Sequence, residues 1–160
     1  MQAEIAETLA QVLRGSPVAT LATLHRGEPA TSMVPFALLP GTGDVIIHIS
    51  RLATHTQDLQ AHASASLLVM APPGTSDTPL ALPRVSLQGE AHVCAVADAD
   101  YGPARAAYLA RLPEAEELFS FGDFSLWLLR PRHLRLVAGF GRAHTIMGDD
   151  YRQWIAGQTG

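Results

Sequence analysis

The residues best suited to chemistry lie in the segment SRLATHTQDL, which follows a short apolar run and opens a predicted helix. Its hydroxyl and imidazole groups belong to Ser50, Thr54, His55 and Thr56. Backbone N–H groups at a helix N-terminus, supplemented by hydroxyls and a cationic side chain, form a binding site for anions. The other interpretation is that Ser50 and Thr54 only cap the helix.

Two further segments carry groups that suit the same anion. Arg84 begins a strand, RVSLQGEAHVCAV, which can bring a guanidinium into the same neighbourhood. Near the C-terminus, the segment AGFGRAH occupies residues 138–144. Its glycines, Gly139 and Gly141, allow either a bulge at a barrel corner or the close approach of the backbone to a ligand. We therefore expect a phosphate-bearing ligand, held between two strands and the start of a helix.

Other chemistries lack their sequence signatures. Seven His and one Cys show neither H-x-x-x-H nor H-E-x-x-H spacing, so no dedicated metal site is expected. The chain contains no G-x-S-x-G, no dinucleotide-binding glycine motif and no phosphate-loop motif. Clustered carboxylates occur at Glu114, Glu116 and Glu117, within one predicted helical turn that indicates a solvated face.

The composition limits the partners. A chain of 160 residues suffices for one domain with a real core. Its formal net charge is −4 and its pI about 5.9, so bulk attraction to nucleic acid or to an anionic membrane is disfavoured. Charged residues make up 16% of the chain, against roughly 25% in typical proteins, which indicates apolar surface hidden in an oligomer. Because the chain has no Lys, any phosphate clamp must use Arg, His and backbone groups.

The N-terminus and the single cysteine predict a compartment. Cys94 excludes an internal disulfide framework and suggests reducing surroundings. No apolar run approaches membrane-spanning length, and an N-terminus containing Glu4 and Glu7 does not resemble a signal peptide. We therefore expect a cytoplasmic protein.

Hydrophobic periodicity predicts a mainly β chain with peripheral helices, an α+β organisation. A first helix is ended by Gly15 and Pro17, and further helices are predicted at 54–62, at 98–112 with Asp98 as its cap, from Pro113, and at 150–156. The predicted strands are 18–25, 30–39, 45–49, 65–70, 84–96, 124–130 and 133–137. Tight turns between most of these strands favour an antiparallel barrel over a doubly wound parallel sheet. We expect one domain, 1–160, with its core at about 17–146 and helical extensions at both ends.

The chain resembles the FMN-binding split-barrel superfamily, typified by pyridoxamine 5′-phosphate oxidase, in an ordered set of segments: VATLAT, GEPATSMVPF, SRLATHTQDL, ASLLVM, RVSLQGEA, FGDFSLWLLRP and LVAGFGRAH. Within that superfamily it is most similar to the haem-utilisation, HugZ-like branch. The L-A-x-H-T and G-F-G segments are the most specific parts of a likeness that runs from about Val18 to His144. The resemblance implies an antiparallel, six- to seven-stranded FMN-binding split barrel, and a homodimer with two FMN sites across its interface.

The resemblance also implies the residues of a flavin site. Strand residues 31–36 would line the flavin ring and ribityl chain, with Ser32 where the oxidase usually has an arginine. Thr54 and His55 take the places of an Arg-Lys pair that holds the FMN phosphate, and Arg84 that of a glutamine reaching the flavin. His55 would bind phosphate as the imidazolium, its pKa raised by the dianion. The implied cofactor-binding residues are Ser32, Met33, Val34, Pro35, His48, Ile49, Ser50, Thr54, His55, Thr56 and Arg84.

Departures from the oxidase pattern bear on the substrate. The oxidase holds its substrate phosphate with a lysine after the second strand, where this chain has Ala37. Two motifs of the oxidase have partial counterparts here. Its Tyr/Arg pair corresponds to Tyr108 and Arg111, with a spacing one residue shorter, and its R-x-H motif corresponds to Arg142 and His144. Oxidation of vitamin B6 phosphates is therefore not favoured. The residues expected on a substrate or haem side are Tyr108, Arg111, Phe140, Arg142 and His144.

Two functions from different classes remain. The favoured one is an FMN-dependent oxidoreductase that acts on an unidentified small-molecule substrate, in which the protein orients the cofactor and shapes the pocket. The alternative is a haem-binding or haem-utilisation module, or a non-catalytic split-barrel binding protein. In the haem alternative, His144 or His92 would contact the iron.

Overall fold

The computed structural model describes residues 1–158, which form eight strands and four α-helices. The strands are β1 Val18–His25, β2 Glu28–Pro35, β3 Ala37–Leu38, β4 Val45–Ser50, β5 Ser64–Met70, β6 Arg84–Cys94, β7 Phe124–Val137 and β8 Ala143–Met147. The helices are α1 Ala3–Gly15, α2 Thr54–Ala61, α3 Tyr101–Arg111 and α4 Gly148–Ala156, together with the 3₁₀ segments Pro79–Ala81 and Pro113–Ser120.

All eight strands belong to one antiparallel sheet. Its order is β2-β1-β5-β6-β7-β4-β3, and β8 pairs with β7. The larger hydrophobic core gathers buried side chains from seven of the strands and from α1, α2 and α4. A flat sheet of this width cannot surround one continuous core, so the sheet curls into a barrel. The antiparallel α+β split-barrel class expected from the sequence is confirmed.

A smaller core lies between the sheet and α3. It contains Ile46, Cys94 and Leu126 from three strands, packed against Ala104 and Tyr108 of α3. Period-two alternation, with Val85, Leu87, Ala91 and Val93 on one face, is confirmed in β6 only as far as Ala91. Beyond that residue the expected faces are reversed, because Val93 is exposed and Cys94 is buried. Among residues 1–158, no helix combines the length and apolar character that crossing a membrane requires.

The predicted break between the last two strands is wrong, because β7 runs without interruption through Pro131. The register between β6 and β7 shifts between Gln88 and Gly89, and Gly89 is opposite Pro131. The extra residue of this bulge is Arg132 of β7, next to Pro131. A proline lacks the N–H that a regular ladder needs, so its place beside the bulge lets the strand continue.

Other boundaries also differ from the expectation. The predicted strand 30–39 is divided into β2 and β3, and β8 was not predicted because its sequence, AHTIM, lacks strong alternation. Gly139 and Gly141 have positive φ in the turn that joins β7 to β8, so they serve a hairpin rather than a bulge. Helix α3 begins at Tyr101, because Asp98 accepts a hydrogen bond from the N–H of Ala95 at 2.8 Å and closes the preceding turn.

Candidate functional site

The hydroxyls of Ser50 and Thr56 make hydrogen bonds around the turn that precedes α2. Ser50 Oγ donates to Asp123 Oδ2 at 2.5 Å and accepts from the N–H of Leu52 at 3.1 Å. Thr56 Oγ1 donates to the carbonyl oxygen of Ser50 at 2.6 Å. The N-cap residue itself is Ala53, which makes no side-chain cap. Ser50 and Thr56 therefore hold the connection between β4 and α2, and the Asp123 carboxylate adds negative charge there.

His55 is tied to the neighbouring strand. Its Nδ1 lies 3.1 Å from Ser32 Oγ, so the contact joins α2 to β2. Burial lowers the pKa of His55, and the nearby Asp58 carboxylate only partly opposes that shift. Burial therefore favours the neutral ring in the free protein, and the imidazolium expected with a bound phosphate dianion stays a prediction. Thr54, which was predicted for the same site, is the first residue of α2.

Arg84 makes its hydrogen bonds on β6 and the loop before it, and none to Ser32 or His55 is found within residues 1–158. Its Nη1 donates to the carbonyl oxygens of Leu82 at 2.9 Å and Leu80 at 3.4 Å. Strand β6, which it begins, is separated from β2 by β1 and β5 in the sheet. Sequence reasoning overlooked Arg51, which is exposed in the turn ahead of α2 and lies far nearer to His55 along the chain.

The predicted flavin-lining residues are divided between surface and core. Met33 is exposed, whereas Val34 and Ile49 are buried in the larger core. Pro35 ends β2. This alternation is what a strand with one buried face requires, so only part of the predicted set is available to a ligand.

His48 lies inside an aromatic cluster. Its ring stacks on Phe119 with a centroid separation of 3.9 Å and an interplanar angle of 10°, and Tyr108 and Phe124 flank it at 5.8 and 5.2 Å. Nδ1 has no hydrogen-bond partner within residues 1–158. Burial lowers the pKa of His48 to about 4, so the imidazole is neutral at physiological pH. Burial and the Glu114 charge raise the pKa of Tyr108 to about 12.

The residues predicted for a substrate or haem side do not converge. Arg111 Nη2 donates to the carbonyl oxygens of Leu13, at 2.9 Å, and of Ser16, which places Arg111 at the end of α1. Arg142 is paired with Glu4 across the surface. Phe140 is exposed at the tip of the β7–β8 hairpin.

His144 lies in a cleft of about 430 Å³ between α1, β8 and α4. The apolar residues of this cleft are Met1, Ile5, Ala143 and Ile146. Asp150 and Gln2 supply polar groups on the rim. His144 therefore has room for a ligand beside it, and His92, the other histidine expected to contact haem iron, lines a separate pocket of about 180 Å³.

A second oriented histidine was not predicted. Asp58, only 5% exposed, accepts from Thr23 Oγ1 at 2.9 Å and pairs with His25 Nδ1 at 2.7 Å. The hydrogen bond from His25 is the largest cause of a lowered pKa of Asp58. His25 and Thr23 are 33 and 35 positions from Asp58 in sequence, so no local sequence motif predicts these contacts. Within the described chain, no group of three His, Cys, Asp or Glu has the geometry of a metal site.

Comparison with known proteins places the chain in a family. The profile described as CREG, beta-barrel matches residues 1–153. The chain is 37% identical over 146 residues to the non-canonical heme oxygenase HOZ, chloroplastic, of Arabidopsis thaliana, covering 89% of the chain and 43% of that protein.

Solved structures show the same fold. A heme binding protein from Mycobacterium smegmatis has a TM-score of 0.85 and 34% identity, over 96% of this chain and 62% of that one. HutZ, a heme storage protein from Vibrio cholerae, has a TM-score of 0.74 and 20% identity, over 84% and 95% of the two chains. The chain thus spans less than half of the plant relative and about three fifths of the mycobacterial one.

Proposed function

Because the chain belongs to the CREG β-barrel family of split-barrel proteins, we propose that it binds haem and acts in haem utilisation. The observation that carries the proposal is that the plant and mycobacterial relatives, at 37% and 34% identity, are both named for haem. The proposal concerns binding, because the chain spans 43% of the plant heme oxygenase.

The residues present suit haem at the His144 cleft. The His144 imidazole would hold the haem iron, and the apolar side chains of Ile5, Ala143 and Ile146 would contact the porphyrin. Bound haem would supply the iron redox chemistry. The protein's own contribution would be a His144 nitrogen for the iron and apolar side chains that shield the ligand from water.

A flavin remains the second candidate, and the Ser32–His55 contact favours it. The contact places a hydroxyl and an imidazole together at the start of α2, as a phosphate site would require. Two observations oppose flavin binding. The Asp123 carboxylate is hydrogen-bonded to Ser50, and Arg84 donates its hydrogen bonds to two carbonyl oxygens. A phosphomonoester dianion at this place would meet a neutral His55 and an adjacent carboxylate, which raises the cost of binding.

The proposal also includes a location. The buried free thiol of Cys94 is compatible with a reducing compartment, and a cytoplasmic protein is therefore proposed for this chain. The name of the plant relative assigns that protein to the chloroplast.

The absorption spectrum tests both candidates in one experiment. Titrating the purified protein with hemin should produce a saturable Soret shift at a stoichiometry of one haem per chain or per pair of chains. His144→Ala should weaken haem binding at least about tenfold, because an iron ligand is lost. His62→Ala, at the end of α2, serves as the matched control and should leave the titration unchanged.

Two results would contradict haem binding. One is the absence of a saturable Soret shift together with tight binding of FMN. The other is a hemin titration that does not saturate and is equal for the wild type and both histidine variants, which would indicate nonspecific adsorption. A Soret shift lost in His92→Ala and retained in His144→Ala would support haem binding but identify His92, on β6, as the iron ligand.

A further inference from the structure

A buried carboxylate with an unpaired oxygen lies at the start of β4. Asp44, immediately before β4, is 1% exposed. Its Oδ2 accepts from Nε and Nη2 of Arg130, each at 3.3 Å. Its Oδ1 is buried and has no hydrogen-bond partner within residues 1–158. A buried carboxylate oxygen without a donor is costly, so Oδ1 is suited to accept a hydrogen bond from a molecule bound beside it.

Asp44 lines a pocket of about 180 Å³. The pocket lies between β4, β6, β7 and the turn that leads into α3, and its other walls are His92, Val93, Cys94, Asp98, Asp100, Leu128 and Arg130. Liquid water occupies about 30 Å³ per molecule, so the pocket has room for a ligand of several heavy atoms.

The charge of this pocket is negative. It contains the three carboxylates of Asp44, Asp98 and Asp100 and the one guanidinium of Arg130. Arg130 is already bound to Asp44, and Asp100 makes no side-chain cap to α3. The carboxylates also act on the neighbouring thiol of Cys94. Its pKa is raised mainly by burial and further by the charges of Asp98 and Asp100.

We propose that this pocket binds a small organic cation that carries N–H donors, such as a primary ammonium group. One N–H would donate to Asp44 Oδ1, and the charges of Asp98 and Asp100 would attract the cation from the rim. A charge-assisted hydrogen bond to a buried carboxylate is stronger than a neutral one, and it would satisfy Asp44 Oδ1, which has no hydrogen-bond partner within residues 1–158. A metal ion is the poorer occupant, because no three ligating groups among residues 1–158 have metal geometry.

Two isomeric monocations provide a sharp test. n-Butylammonium and tetramethylammonium have the same atoms and charge, but only n-butylammonium donates N–H bonds. Each is titrated into the ¹⁵N-labelled full chain at constant ionic strength, with the backbone amides of Val45, Cys94 and Asp98 observed. We expect saturable shifts with n-butylammonium, on the order of millimolar affinity, and at least tenfold weaker binding of tetramethylammonium.

Substitutions distinguish binding of the cation in the pocket from its general attraction to a negatively charged surface. The double variant Asp98→Asn, Asp100→Asn keeps the side-chain acceptors at two exposed positions, so the fold is retained while two charges are lost. It should weaken n-butylammonium binding at least tenfold, and Asp44→Asn should abolish saturation. Asp77→Asn, in the exposed loop between β5 and β6, is the matched control and should bind as the wild type does.

Three outcomes would overturn the proposal. The first is linear, unsaturated shifts with both cations, which would mean that the pocket holds water only. The second is equal affinity for the two isomers, which would remove any role for an N–H donor. The third is unchanged binding in the Asp98→Asn, Asp100→Asn variant, which would place the ligand elsewhere.

Discussion

At the scale of single residues, His48 shows how burial alone fixes a protonation state. The ring is 6% exposed, and burial lowers its pKa to about 4 from an ordinary value of 6.5. Between these two pH values the unfolded chain binds the proton more readily than the native one, so stability is lost as the pH falls. We expect the free energy of unfolding to fall by about 2 kcal/mol from pH 7 to pH 5 through this residue.

The measurement compares urea unfolding of the wild type and His48→Phe at both pH values. The variant keeps an aromatic ring against Phe119 and removes the titrating nitrogen, so the wild type should lose about 2 kcal/mol more than the variant. His92→Phe, at a position whose side chain is 65% exposed, should retain the wild-type pH dependence. Parallel curves for His48→Phe and the wild type would show that His48 is not the group responsible.

The residue scale is also where sequence reasoning was least complete. The Ser32–His55 contact joins two segments that were both assigned to one site. Arg84 was assigned to that site as well, but the order of the strands separates β6 from β2. The pair formed by His25 and Asp58 depends on how α2 packs on β1, and no spacing rule encodes that packing. Side-chain partners of this kind are set by tertiary structure, so one sequence does not reveal them.

At the scale of elements, the β6–β7 bulge depends on Gly89. A Cβ atom added there would lie 1.9 Å from the carbonyl oxygen of Arg130, which is backbone and cannot move aside. We expect Gly89→Ala to lower the free energy of unfolding by at least about 3 kcal/mol. Gly102→Ala is the matched control, because nothing lies within 4 Å of its added Cβ in α3, and it should cost nothing. Denaturant unfolding with similar losses for both variants would exclude a special role for Gly89.

The end of α1 depends on a side chain from α3. Arg111 donates to two carbonyl oxygens there, and its guanidinium lies over the Phe36 ring at 4.6 Å from the centroid. Arg111→Ala should lower stability by about 2–3 kcal/mol and speed amide exchange in the last turn of α1. Arg111→Lys should restore only part of the loss, because an ammonium lacks the planar fork. Arg14→Ala, an exposed position on the same helix, should cost less than about 1 kcal/mol, and equal losses would refute the capping role of Arg111.

At the scale of the whole molecule, the sequence predicted the architecture better than its details. Period-two alternation in β6 and the tight turns predicted an antiparallel barrel, and β1 was predicted with its observed bounds. These features are local, so a sequence encodes them directly. The continuity of β7 through Pro131 depends on the neighbouring bulge in β7 itself, where Arg132 has no partner in β6, and β8 is held by pairing with β7 rather than by its own pattern. Such features follow from contacts between distant segments.

The outer face of the sheet is where the expected homodimer would form. Met33 and Leu68 both neighbour Thr20 on this face, and exposed Val18 and Met70 line the same cleft of about 350 Å³. Exposed apolar residues gathered in one patch are typical of an interface. We propose that two copies pair through this patch and bury the area of a stable interface, about 1,200–2,000 Å².

The double variant Met33→Glu, Met70→Glu tests this pairing. It places two carboxylates in the proposed apolar contact, and an unpaired charge there costs several kcal/mol, so the dimer should dissociate at least about a hundredfold more readily. Val96→Glu changes a more exposed apolar residue in the turn between β6 and α3, outside the patch, and should sediment as the wild type does. Sedimentation velocity at micromolar concentration should show a dimer for the wild type and Val96→Glu and a monomer for the double variant. A wild-type monomer at that concentration would exclude the obligate dimer, and a double variant that remains dimeric would exclude this face.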